Sequence, residues 1–252
     1  MPIIQALDRA LNILELFDEQ ATELKITEIS ARMDLHKSTV HSLLRTLQLH
    51  GYIDQNPESG KYRLGLKLIE KGQLVLQGMD VRTVARRQLE TLSDQTGQTT
   101  NLVILDGKEG VYIDKVEGAK AAIRYSRIGR RVPLHSSAAG KILLAHMRQD
   151  RLEELLRQYH FHIQTPQTIQ DQDTLLRELE QVRMQGYAID NQENEAGVRC
   201  GAVPIRDHSN QVIAAMSLST MTSAIGDEQF LAYISLLQKE GESVSQHLGY
   251  RR

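Results

Sequence analysis

The pattern of apolar and polar positions predicts two halves of different texture. In residues 5–17, Leu7, Ala10, Leu11, Leu14 and Phe17 recur at helical spacing and give one apolar face. A polar break follows at Asp18-Glu19-Gln20. Thr27, with Ile26 before it and Ile29 and Met33 behind, suits the N-cap of a short helix ending near Met33-Asp34. Residues 37–48 carry the clearest helical signal: Val40, Leu43, Leu44 and Leu47 form one buried stripe, and Gly51 supplies a stop. Residues 52–54 and 61–64 are expected as strands around the turn-forming run 55–60. From Leu66 to about Arg87 the chain turns helical again, with Gly72 and Gly78 weakening it, as in a bent linker helix.

Beyond that point helices and short strands mix. An amphipathic helix is expected near 82–95, then strands at 100–106 and 111–116 joined by an Asp106-Gly107 hairpin turn. Residues 122–128 are a third strand candidate. Helices are predicted at 137–146, 150–158 and 171–185, strands at 187–190, 198–205 and 212–219, and a last helix near 227–247. There is no internal repeat or low-complexity tract. The mixture predicts an α+β sensor domain after an N-terminal helical module.

The 252 residues suit one large or two modest domains, and 40% hydrophobic with 25% charged residues is an ordinary globular balance. No uncharged apolar run reaches the ~18–20 residues of a membrane span. An acid within the first turns and no apolar leader core argue against a secretory signal. The lone cysteine, Cys200, has no internal disulfide partner, so a reducing cytoplasm is expected, and a cysteine-rich zinc module is excluded.

Net charge is −2, so any anionic partner must be read from local charge. Residues 35–53 hold no acid but Lys37, Arg45 and three histidines. Residues 118–149 hold no acid but Lys120, Arg124, Arg127, Arg130, Arg131, Lys141 and Arg148. Two basic stretches suggest two anionic partners; solvated faces paired with distant acids are the alternative.

Three helices followed by a two-stranded hairpin make a winged helix-turn-helix plan. Such a module needs a helix whose inner face is apolar and whose outer face enters the major groove. The outer face of 37–48 offers Lys37, Ser38, Thr39, His41, Ser42 and Arg45 to phosphates and base edges, with Thr27 on the preceding helix. Lys61 and Arg63 on the hairpin can track the backbone or the minor groove. A protein-binding three-helix module would share the periodicity, but the acid-free surface favours DNA.

Enzyme chemistry finds little support. Ala138-Ala139-Gly140-Lys141 faintly suggests a phosphate loop, but Ile142 stands where Ser or Thr must reach magnesium. No GxSxG elbow or HExxH occurs. His160 and His162 alternate but lack a third metal ligand nearby. No cofactor is expected.

The segments Leu24-Lys25-Ile26-Thr27-Glu28-Ile29-Ser30, Lys37-Ser38-Thr39-Val40-His41-Ser42-Leu43-Leu44 and Gly51-Tyr52 resemble the IclR family of bacterial transcription regulators. So do Pro133-Leu134-His135-Ser136-Ser137-Ala138-Ala139-Gly140-Lys141, Gly186-Tyr187-Ala188-Ile189-Asp190, Glu193 and Gly197-Val198-Arg199-Cys200. Asp34 departs from the family's usual turn glycine, and Asp tolerates the left-handed conformation such a turn needs.

The resemblance implies a winged helix over 1–72 and, over 73–252, a linker helix with a GAF-like effector-binding domain. It implies a DNA-binding regulator assembled as a homotetramer, a dimer of dimers on a pseudo-palindromic operator. By motif, Ala138 and Ala139 would offer backbone N–H groups to a carboxylate at a helix N-terminus. Asp190 and Cys200 match polar pocket positions. Ser217 and Ser219 alternate on one strand and share a side. Cys200 could equally be plain core, and the two serines could face solvent. The run 124–131 resembles the branch of the family that responds to sugar acids, with Arg124 suited to a bidentate carboxylate contact and Asp190 to sugar hydroxyls. Arg127, Arg130 and Arg131 cannot all face that pocket, and Arg130 and Arg131 suit surface or oligomer contacts. A repressor of sugar-acid catabolic genes answering to a pentonate such as xylonate is the expected function; an activator of the same genes would share these residues.

Overall fold

The computed structural model describes residues 3–18, 20–77, 80–120 and 126–251, and the chain divides into two compact units, residues 1–78 and 79–252. The first unit contains α1 (Gln5–Leu14), α2 (Ile26–Met33), α3 (Lys37–Leu49), β1 (Ile53–Gln55), β2 (Tyr62–Leu64) and α4 (Lys67–Gln77). Its core joins Ile13, Phe17, Ile29, Val40 and Leu44 to Ile53 and Tyr62 of the hairpin. The α1 face differs from expectation. Ile13 is buried, whereas Leu7 and Leu11 are more than half exposed, together with Ile3 and Ile4. Leu7 and Leu11 of the predicted stripe therefore point outward in the single chain, while Leu14 and Phe17 join the core.

Thr27 is not the N-cap of α2. That place belongs to Lys25, whose backbone N–H donates to Glu28 Oε2 at 2.7 Å. An acid at the third helical position satisfies the orphan donor, so no cap hydroxyl is needed, and Thr27 sits exposed in the first turn. Asp34 does close α2 in the left-handed conformation, with φ 50°. Gly51, at φ +76°, closes α3. Gly65 has no room for a side chain, because a Cβ would lie 2.1 Å from Gly51 O.

The second unit begins with α5 (Asp80–Thr96) and holds one antiparallel six-stranded sheet. Its strands are β3 (Thr99–Asp106), β4 (Glu109–Val116), β5 (Arg131–Pro133), β6 (Ala188–Asn191), β7 (Val198–Arg206) and β8 (Val212–Met221), in the order β5-β4-β3-β8-β7-β6. The β3–β4 hairpin turns at Gly107, φ +62°. Of the third strand candidate, 122–125 lie outside the described residues and 126–128 are not strand. The edge strand is β5 instead. Pro133 fits there because an edge leaves one side of the ladder unpaired.

Helices cover both sheet faces. α9 (Asp227–His247) packs with α5 on one, where a Cβ at Gly201 would strike Ile234. On the other, α6 (Ala138–Ala145), α7 (Gln149–Leu156) and α8 (Gln172–Gln185) share a core with Val103, Cys200, Ala202 and Ala215. Among the described residues no helix is long and apolar enough to cross a membrane.

Candidate functional site

Burial of Val40 and Leu44 turns the other side of α3 outward. Lys37, Ser38, His41, Ser42 and Arg45 are exposed, Thr39 is half-buried, and the helix carries no carboxylate. Ser42 donates to Ser38 O at 3.1 Å, which leaves its oxygen lone pairs for a partner. On the hairpin, Lys61 is half-buried just ahead of β2. Arg63 is exposed but already engaged: its Nη2 donates to Asp54 Oδ2 at 2.7 Å. That guanidinium hydrogen bond holds the Asp54 carboxyl below its usual range. Arg63 would have to exchange this partner to reach a phosphate.

In the second unit the strand register assembles a polar row. Asp190 lies opposite Cys200, and Cys200 opposite Ser219. All three are buried, as is Ser217, and Cys200 Sγ donates to Ser219 Oγ at 3.2 Å. Ser217 and Ser219 therefore do not face solvent. The face they share is the one α6 covers.

The N-terminus of α6 is pressed tightly onto the segment Pro133-Leu134 that leads into it. A Cβ at Gly140 would lie 2.4 Å from Leu134 Cα, so only glycine allows the approach. Ser137 caps the helix by accepting from Gly140 N at 3.1 Å. The N–H groups of Ala138 and Ala139 bond to no acceptor among the described residues, although both residues are buried. Unpaired donors at the positive end of a helix suit a carboxylate.

Asp190 Oδ1 accepts from Glu193 N at 2.7 Å and Asn194 N at 3.2 Å. Burial outweighs these bonds and pushes its pKa up to about 7. A carboxyl so close to neutral charge repels a neighbouring anion less than an ordinary aspartate would. Among the described residues nothing bonds to Oδ2, which leaves that oxygen for a ligand hydroxyl.

A buried lysine braces this region. Lys141 Nζ donates to Glu193 Oε1 at 2.7 Å, Ile189 O at 2.9 Å and Glu178 Oε1 at 3.0 Å. Burial raises the Glu193 carboxyl pKa against the opposing pull of Lys141. The sequence motifs marked Lys141 and Glu193 but not their pairing.

Arg124 lies outside the described residues. Arg131 is held by Asp106 at 2.6 Å and Glu109 at 3.5 Å, on the edge strand. With Arg130, Tyr112, His162 and Asn194 it lines a cavity of about 600 Å³. His160 and His162 stack at 6.2 Å, and among the described residues no three metal-ligating side chains cluster. Sequence reasoning missed Thr99 and Asn101, both fully buried polar residues. The polar run Thr99-Thr100-Asn101 at the start of a strand was their only signal.

Comparison with known proteins agrees with both halves. Residues 6–57 match the IclR helix-turn-helix domain, and residues 73–246 match the bacterial transcriptional regulator IclR C-terminal domain. The chain is 57% identical over 250 residues to the HTH-type transcriptional regulator XynR of Escherichia coli, covering 99% of each. The Thermotoga maritima IclR structure is similar at a TM-score of 0.81 and 35% identity, over 98% of this chain and 100% of that one. An IclR homologue from Microbacterium hydrocarbonoxydans, complexed with 4-hydroxybenzoate, is similar at a TM-score of 0.83 and 28% identity, over 96% and 98%. Its relatives being regulators and not enzymes, the α+β chain with its N-terminal helix-turn-helix belongs to the IclR family of bacterial transcriptional regulators.

Proposed function

We propose that this regulator is a cytoplasmic repressor of sugar-acid catabolic genes, released or repositioned on its operator by a hydroxylated carboxylic acid. Residues 1–72 act as the winged helix and 73–252 as linker helix and effector domain. The carrying observation is the buried row Asp190, Cys200 and Ser219, with Ser217, on the face covered by α6, whose Ala138 and Ala139 N–H groups lack acceptors. Unpaired helix-terminal donors suit a carboxylate, and hydroxyl and carboxyl side chains suit alcohol groups. The 4-hydroxybenzoate held by the Microbacterium relative is also a carboxylic acid. The resemblance of 124–131 to the sugar-acid branch narrows the class, and Arg124 is assigned to the carboxylate.

DNA is contacted by Lys37, Ser38, Thr39, His41, Ser42 and Arg45, with Thr27, Lys61 and Arg63 on phosphates. A dimer reads two half-sites of a pseudo-palindrome, and two dimers associate. The outward stripe Ile3, Ile4, Leu7 and Leu11 supports self-association, since such a surface is costly to leave in water. Effector binding favours one placement of the paired DNA-binding units over another.

A thermal-shift screen against sugar acids, keto acids and aromatic acids tests this reading. A ligand that binds only the native state raises the melting temperature by mass action. A shift with a sugar acid, followed by release of labelled operator, is expected. A shift with aromatic acids alone would refute the effector class.

A further inference from the structure

Among the described residues, Thr99 Oγ1 and both Asn101 side-chain atoms, Oδ1 and Nδ2, are buried without a hydrogen-bond partner. Both residues are 0% exposed. Such groups cost stability unless something pairs with them. We propose that Thr99 and Asn101 form a hydroxyl-binding subsite of the effector pocket. It selects a carboxylic acid whose carbon chain bears hydroxyl groups over short acids that lack them. This assignment rests on the effector reading above.

Register places the subsite. Residues directly opposite in an antiparallel pair share a face. Thr99 lies opposite Ser219 and Asn101 opposite Ser217, so both join the face that carries Cys200 and Asp190. Val103, two residues further along β3, is already in the apolar cluster with Ala138 and Ala139. The subsite therefore continues the polar row beyond Ser217 and Ser219 and ends at an apolar wall.

Thr100 provides an internal contrast. It is equally buried but faces the other way, and its Oγ1 donates to Leu89 O at 2.9 Å. On the α5 face the strand's buried hydroxyl is satisfied by protein. On the pocket face its neighbours on both sides are not.

The donor set specifies the ligand. An amide offers two donors and an acceptor, and a hydroxyl can accept from Nδ2 while donating to Oδ1. A carboxylate would be repelled by Oδ1, and a hydrocarbon would leave every atom unpaired. Discrimination against analogues lacking the hydroxyl follows, because they would leave the amide buried and unsatisfied.

The test uses the full chain, calorimetric titration and melting curves. The probes are D-xylonate, D-gluconate and 2-keto-3-deoxygluconate. Asn101→Leu and the near-isosteric Thr99→Val remove the orphaned groups. Each should weaken binding of the sugar acid taken by the wild type by about tenfold or more. Without ligand, both should melt at or a few degrees above the wild type, since an unpaired group has been removed. Unchanged sugar-acid affinity in both variants overturns the subsite and leaves the effector reading intact. A lower melting temperature in both unliganded variants also overturns it, because the groups would then be satisfied within the protein. A wild type that binds none of the three acids refutes the effector reading, and this assignment with it.

Discussion

Replacing Lys141 with methionine isolates the electrostatic brace of the effector unit. The lysine is 1% exposed, and all three ammonium protons are engaged, by two carboxylates and a backbone carbonyl. Methionine nearly matches the chain length, so Lys141→Met removes charge with little change of volume. It leaves Glu193 buried with Oε1 holding only the long 3.4 Å bond from Asn191 N and, among the described residues, Oε2 unpaired. Removing one partner of a buried ion pair costs roughly 3–5 kcal/mol, chiefly from the stranded charge. For a unit of 150–250 residues each kcal/mol is worth about 2–4 °C, so the melting temperature should fall by roughly 6–20 °C.

Calorimetry of the variant beside Lys141→Met/Glu193→Gln separates causes. The double variant neutralises the stranded carboxylate and should recover a large part of the loss. Ile189 and Glu193 flank Asp190, so the single variant should also weaken effector binding. A single variant as stable as the wild type would refute the reasoning. So would a double variant no better than the single one, because the cost would then lie in packing.

Lys37→Ala and Arg45→Ala should each weaken operator binding and reduce the salt slope of log Kobs by about one, measured by fluorescence anisotropy over a salt series. An unchanged slope in both would misplace the recognition face. Gly140→Ala should lower the melting temperature markedly, since its Cβ would meet Leu134 Cα at 2.4 Å and backbone cannot yield as a side-chain tip can. Asp190 titrates near 7 when folded, against 3.8 for an ordinary aspartate, so the native state binds its proton more tightly than the unfolded chain does. Its contribution to stability therefore falls as pH rises from about 4 to about 7 and levels off above. Asp190→Asn mimics the protonated form, so its melting temperature should gain on the wild type between about pH 5 and about pH 7.5. An identical offset at both pH values would contradict the buried titration.

What could be read without coordinates depended on whether a feature is local. The helix over 37–48, the Asp106-Gly107 hairpin and the helix opening at Ser137 are set by spacings of a few residues, and each is found where the pattern puts it. Leu7 and Leu11 have the right period, but periodicity says that a stripe is apolar, not what it packs against. Residues 122–128 have strand-like composition; 126–128, the part described, are not strand, and β4 pairs with 131–133. Lys141 reaches carboxylates 37 and 52 positions away, a separation no motif spacing encodes.

The polar row on the α6 face is the most non-local feature, and its residues gain meaning only through register. Thr99-Thr100-Asn101 is uniformly polar along the chain, yet the pleat sends Thr100 to one face and its neighbours to the other. On one face Leu89 completes the hydrogen bonding, while on the other the next strand adds Ser217 and Ser219, and nothing among the described residues completes it. Fully buried polar groups in a chain-satisfied core are rare, because each unpaired one costs stability that packing cannot return. Unpaired atoms gathered on one face, beside helix N–H groups in the same condition, therefore have the character of a surface prepared for a ligand and not of isolated flaws in a core.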